Sequence, residues 1–91
     1  MSRFKPTPTY RLFLNRLVEA RTERGISIPE LADRLALPIA EVAAFENGEK
    51  PLDFVQTHAW CRALGVPFTE FVLKVGEDIE ALLSQNEGEV T

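Results

Sequence analysis

The stretch "SIPELADRLALPIAEVAAFENG", residues 27–48, holds two short helical patterns and the punctuation that separates them. Ser27 with Glu30 reads as a capping box, and Ile26 with Leu31 as the hydrophobic staple that sets the entry angle of the chain. Pro29 falls in the first turn, where its missing N–H removes no hydrogen bond. This helix runs through Leu31 and Leu35 to about Ala36. "ALP" then breaks the pattern, and a second helix is expected from about Ile39 to Asn47, turning Val42 and Phe45 inward and closing at Gly48. Two short helices joined by so tight a turn are the local signature of a helix-turn-helix at about 27–47.

Working outward, the flanking chain is also helical in pattern, and no strand is expected. Thr7 followed by Pro8 gives an N-cap with proline at the first helical position; Tyr10, Phe13, Leu14, Leu17 and Val18 form the apolar side, and Gly25 closes the helix. Asp53 with Gln56 is a second capping box, opening a helix with Phe54, Thr57, Trp60, Cys61 and Leu64 on one face and Gly65 at its end. A last helix from about Phe68 places Phe68, Phe71, Val72, Val75, Ile79, Leu82 and Leu83 on one stripe, interrupted by Gly76, where a kink or break is expected. The expected organisation is a flexible arm at 1–6, a helix-turn-helix domain at 7–75, a helical extension at 76–85 and a disordered polar tail at 86–91.

Composition bounds the function. With 91 residues, 45% hydrophobic and 26% charged, the chain has room for one domain and one core. Its net charge of −4 is unevenly spread: residues 1–34 sum to +3 and the remainder to −7. This asymmetry permits an anionic partner at the N-terminal half, beside the plainer reading of a solvated surface with no partner, and makes the C-terminal half a poor nucleic-acid surface. No apolar run reaches the ~18 residues of a membrane span, and the single cysteine, Cys61, excludes an internal disulfide and fits a reducing compartment. A cytoplasmic protein is expected. His58 and Cys61 lie three apart, but a structural zinc site needs four ligands and no second pair exists. Neither a metal, a cofactor nor a catalytic arrangement is expected, so the chain reads as no enzyme.

From about Tyr10 to Val72 the sequence resembles the lambda-repressor-like helix-turn-helix regulators, also called the XRE or Cro-repressor type. The match rests on "EARTERGISIPELADRLALP", "VAAFENGEKPLD" and "CRALGVPFTEF", with "ELA", Glu46, Gly48 and "ALGV" agreeing together. The resemblance implies an all-α, five-helix domain whose third helix enters the major groove of double-stranded DNA, with Glu46 a structural residue at the end of that helix. It also implies a homodimer, and Val75, Ile79, Leu82 and Leu83 are the expected seam.

The departures bear on function. The family commonly places glutamine at the start of the second helix to hold a phosphate; here that position is Ile28. The turn position that is usually glycine is Ala36, which tolerates a left-handed backbone less well. The base-facing positions are Ile39, Ala40, Glu41, Ala43 and Ala44, where hydrogen-bonding side chains are usual. Glu41 can accept from a cytosine amino group and the apolar residues can pack on thymine methyls, which leaves base reading sparse. Phosphate contacts are expected from Ser27, Arg34, Asn47 and Lys50 and the backbone at Ile28, with Arg24 and the arm "SRFKP" as helpers. The competing reading makes Ile28, Leu37, Ile39, Ala40, Ala43 and Ala44 an apolar patch for a protein partner.

Overall fold

The first four helices begin and end close to the punctuation in the sequence. The computed structural model describes residues 4–90, with side chains through 85. It contains α1 (Pro8–Glu23), α2 (Ile28–Leu35), α3 (Ile39–Glu46), α4 (Phe54–Leu64) and α5 (Phe68–Val90), and no strand among the described residues. Thr7 caps α1, and full capping boxes, Ser27 with Glu30 and Asp53 with Gln56, open α2 and α4.

The first four helices close in one way. The amide of the residue just past each end bonds back five residues: Ile26 to Arg21, Leu37 to Ala32, Glu49 to Ala44 and Val66 to Cys61, at 2.9–3.2 Å. This closure needs a left-handed residue, supplied by Gly25, Gly48 and Gly65 in three cases and by Ala36, at φ 56°, in the fourth. Ala36 is the one described non-glycine residue with positive φ.

Packing follows the apolar faces. α1 lies against α5, α3 and α4; α2 packs on α3 and α4; α4 also meets α5. Leu17, Leu31, Val42, Trp60 and Cys61 are fully buried at the centre, and the Phe45 ring meets Trp60 edge-on with centroids 5.4 Å apart. Trp60 sits there with its indole N–H unpaired among the described residues, a cost of about 1–3 kcal/mol set against the ring's burial. Across the α1–α5 contact, Arg16 clamps Asp78 with two bonds of 2.6 and 2.9 Å.

Four expectations are revised. The helix expected to end near residue 85 continues to Val90; Thr91 and the side chains of 86–90 lie outside the described residues. Gly76 does not interrupt α5, which runs continuously past it, because the helix is braced on both sides of it by Val75 in the core and Asp78 on Arg16. Phe54, expected on the inner face of α4, is largely exposed. Phe4 to Pro6, expected as a flexible arm, are laid on the body: Phe4 stacks edge-on against Tyr10 at 5.0 Å, and Pro6 covers Gly48 so closely that a Cβ there would sit 2.8 Å from its Cγ. Two apolar side chains beside an aromatic ring and a bare glycine have no reason to stay in water. Residues 1–3 lie outside the described residues.

Candidate nucleic-acid interface

The C-terminal end of α3 is held by a buried ion pair. Arg21 of α1 grips Glu46 with two bonds, 2.7 and 3.0 Å, and its third nitrogen donates to the Ile26 carbonyl at 2.8 Å. The two side chains are only 13% and 6% exposed, so each charge depends on the other, and losing one would leave an uncompensated buried ion. One guanidinium thus ties α1, the entry to α2 and the end of α3 together. Glu46 was legible as structural; Arg21 was missed, since its partner is 25 positions away in sequence.

With α3 held there, its outer face is apolar and small. Ile39 is 54% exposed and Ala40 is exposed, while Glu41, Ala43 and Ala44 are half-buried. Glu41 is paired with Lys50 from the turn after α3, and the Lys50 ammonium stands 5.9 Å from the Phe45 ring centroid. The one charged side chain among the base-facing positions is therefore neutralised by an expected phosphate ligand. Asn47 is exposed at the end of α3 beside them in sequence.

The other expected phosphate ligands are otherwise engaged. Ser27 Oγ accepts from the Glu30 amide at 3.2 Å and donates to the Glu30 carboxylate at 3.1 Å. Bonding to the Ser27 amide and hydroxyl holds the Glu30 carboxyl below its ordinary range, so a fixed negative charge occupies the N-terminus of α2. Ile28 packs half-buried against the core. Arg34 reaches neither Glu30 nor the α3 turn: its guanidinium donates to the Ala63 carbonyl at 2.9 Å, near the C-terminal end of α4, where a cation complements exposed carbonyls. Arg24 turns back to the Ala20 carbonyl at 3.3 Å.

Sequence reasoning overlooked the strap formed by Phe4 to Pro6. Pro6 lies on Gly48, and Tyr10 accepts a 2.9 Å bond from the Leu52 amide, so the start of the chain and the α3–α4 turn form one surface with Lys5 exposed on it. A glycine in the turn and a Phe-x-Pro sequence at the start were the available signals, but nothing local joins them. The expected seam on α5 is also divided: Val75 is 9% exposed and belongs to the core, Ile79 and Leu82 are half-buried, and Leu83 is exposed. Cys61 is sealed in the core, where burial pushes its thiol up to about 11, while the His58 ring stacks on Phe68 at 5.0 Å. No cluster of three or more metal-ligating side chains forms among the described residues, and no helix among them is long and apolar enough to cross a membrane.

No protein-family profile matches the chain, and no curated protein sequence matches it. Solved structures do. The chain is similar to the wild-type restriction-modification controller protein C.Esp1396I, at 16% identity and TM-score 0.73 over 82% of this chain and 97% of that one. It is also similar to the clp gene regulator ClgR from Corynebacterium glutamicum, at 17% identity and TM-score 0.71 over 91% and 88%. At those identities the likeness establishes the five-helix, lambda-repressor-like fold. An XRE-family like protein from Pseudomonas syringae pv. tomato str. DC3000 is 34% identical, with TM-score 0.73 over 77% of this chain and 88% of that one. With that identity over that coverage, and a helix-turn-helix whose third helix is clamped by Arg21 and Glu46, the chain belongs to the XRE family.

Proposed function

We propose that the chain is a DNA-binding transcriptional regulator, working in the cytoplasm as a homodimer, that holds duplex DNA mainly through phosphates and reads few bases. The carrying observation is the clamp on α3: a buried two-bond pair fixes a short helix whose outward face is open, within a family of helix-turn-helix proteins. Two structural neighbours are described as a controller protein and a gene regulator, which supports the same reading.

The weak base reading follows from the side chains. Ile39 and Ala40 offer apolar contact for thymine methyls, and Glu41 is the single base-facing acceptor. Affinity then depends on cations near phosphates; Lys50 and Lys5 lie around the α3–α4 turn and support that role, with the neutral Asn47 amide as a further donor. Glu41 opposes this, because it neutralises Lys50 and sets a carboxylate on the face that must approach a polyanion. The protein-binding alternative on α3 draws less support, since Ile28 and Leu37 are packed against the core and Ala43 and Ala44 are half-buried, which leaves Ile39 and Ala40 as its exposed members.

Fluorescence anisotropy with a labelled random duplex, titrated with salt, tests the reading. Affinity is expected to fall steeply as salt rises, and Lys50→Ala to weaken binding on all sequences while reducing the log–log salt slope by about 1. Glu41→Gln is expected to bind more tightly, since it frees Lys50 and removes a repulsive charge. No binding at low salt, or binding indifferent to salt, would overturn the reading.

A further inference from the structure

On the outer face of α3, Glu41 is only half satisfied. Its Oε2 accepts from the Lys50 ammonium, which leaves Oε1 free among the described residues. Lys50 also bonds the Ala44 carbonyl through its backbone amide, at 3.3 Å, so one residue of the turn reaches both Glu41 and Ala44. Ala44 is three residues from Glu41 and four from Ala40, the spacings at which side chains on a helix are neighbours. Ala40 is exposed, and Glu41 and Ala44 are half-buried. An open acceptor oxygen and a pair of methyl groups therefore lie side by side, and Ile39, exposed at the start of the helix, widens the apolar part.

That combination discriminates among base edges. A carboxylate only accepts hydrogen bonds. In the major groove guanine shows it two acceptors, and thymine an acceptor oxygen beside its methyl, so both repel it. Adenine offers an amino donor beside an acceptor nitrogen. Cytosine offers an amino donor with carbon C5 next to it and no acceptor on that edge. A methyl group on C5 completes the match, with the donor towards Glu41 and the methyl towards the alanines. Methylation of an amino nitrogen would not, because the hydrogen left on that nitrogen is held by the opposite base.

We infer that α3 reads 5-methylcytosine, with Glu41 Oε1 accepting from the base amino group while Ala40 and Ala44 pack on the C5 methyl. This rests on the DNA-binding reading and names the base that the chain distinguishes. Lys50 has a part in it, since its ammonium offsets the charge that a carboxylate brings towards a polyanion. On unmodified DNA the same carboxylate is a net cost, in keeping with the tighter binding expected of Glu41→Gln there. Alanine at 40 and 44 lets the base edge come into contact, where a longer side chain would hold it off. Each methyl group buried on this face is worth about fourfold in affinity.

Random-sequence duplex pools copied with ordinary dCTP, with 5-methyl-dCTP, or with dUTP in place of dTTP test this, read by anisotropy at one fixed low salt concentration. The 5-methylcytosine pool is expected to bind about fourfold more tightly than the unmodified pool, or better. Glu41→Ala puts the best helix former at that position, so helical circular dichroism should be unchanged. It is expected to bring the ratio close to one, because thymine then serves as well as 5-methylcytosine. Ala40→Gln is expected to lose the gain while still binding the unmodified pool. Equal affinity of the wild-type chain for the methylated and unmodified pools overturns the base assignment and leaves DNA binding standing. A loss with uracil and no gain with 5-methylcytosine puts the methyl contact on thymine and overturns it too. A methylation gain that survives Glu41→Ala overturns the role of Glu41. No binding to any pool overturns DNA binding itself, and this inference with it.

Discussion

Ala36 occupies a conformation that a glycine fills more easily. The helices before Gly25, Gly48 and Gly65 close with the same bond pattern as α2, and at Ala36 the methyl group is held at φ 56°. A left-handed L-residue costs roughly 1–2 kcal/mol relative to its right-handed form. Part of the gain from glycine is lost to the greater freedom it gives the unfolded chain. Ala36→Gly is therefore expected to stabilise the domain by up to about 1 kcal/mol, raising its melting temperature by several degrees. Thermal and urea unfolding check this; a lower melting temperature would mean that the methyl makes contacts outweighing its strain. Ala36 lies in the turn that sets α3 against α2, so its replacement also tests how far DNA affinity depends on that turn's rigidity.

At the scale of elements, two carboxylates fasten helix ends and helix pairs. Asp78 is held below its ordinary range by its bonds to Arg16, whose own guanidinium is held charged by them, and this ties α5 to α1. Glu30 is likewise depressed by its bonds to Ser27, closing the N-terminus of α2. A group whose folded pKa is lowered gives stability that is present above its unfolded pKa and lost as pH falls through the folded one. The domain is therefore expected to lose stability as pH drops through and below the ordinary carboxylate range, while these two links contribute a constant amount near neutrality. Asp78→Asn should flatten that acid dependence and Glu30→Gln should flatten it less, because glutamine keeps a side-chain acceptor for the capping box. Urea midpoints taken across the acid range give the comparison. An acid slope unchanged by both substitutions would place its origin elsewhere. Glu30 is exposed and Asp78 only partly buried, so each contributes modestly.

For the whole molecule, one core serves all five helices, and Cys61 reports on it. The thiol is buried in the same core cluster as Leu17, Leu31, Trp60 and Leu64, and burial pushes its pKa up to about 11. Alkylation needs thiolate and access, so the native chain is expected to resist iodoacetamide at neutral pH. Labelling across a urea series should follow the loss of helical circular dichroism with the same midpoint, as for a two-state domain. Labelling that precedes the loss of helix would show α4 opening separately. Most of the fold was legible in residues close together in sequence. Capping boxes, the glycines after α1, α3 and α4, and the apolar spacing set element number and order and the bounds of the first four helices, because these act within a turn or two of helix. The resemblance carried by Glu46, Gly48 and "ALGV" reached the family. Only the tertiary structure decided that Arg21 is the partner of Glu46 and that Lys50 is spent on Glu41. It likewise sent Arg34 to α4, laid Pro6 on Gly48, and divided the α5 stripe between Val75 in the core and Val72 and Leu83 in the open. Local bonding determines where a helix starts and stops, whereas the partner of a charge or the covering of a surface depends on chain segments that meet only after folding.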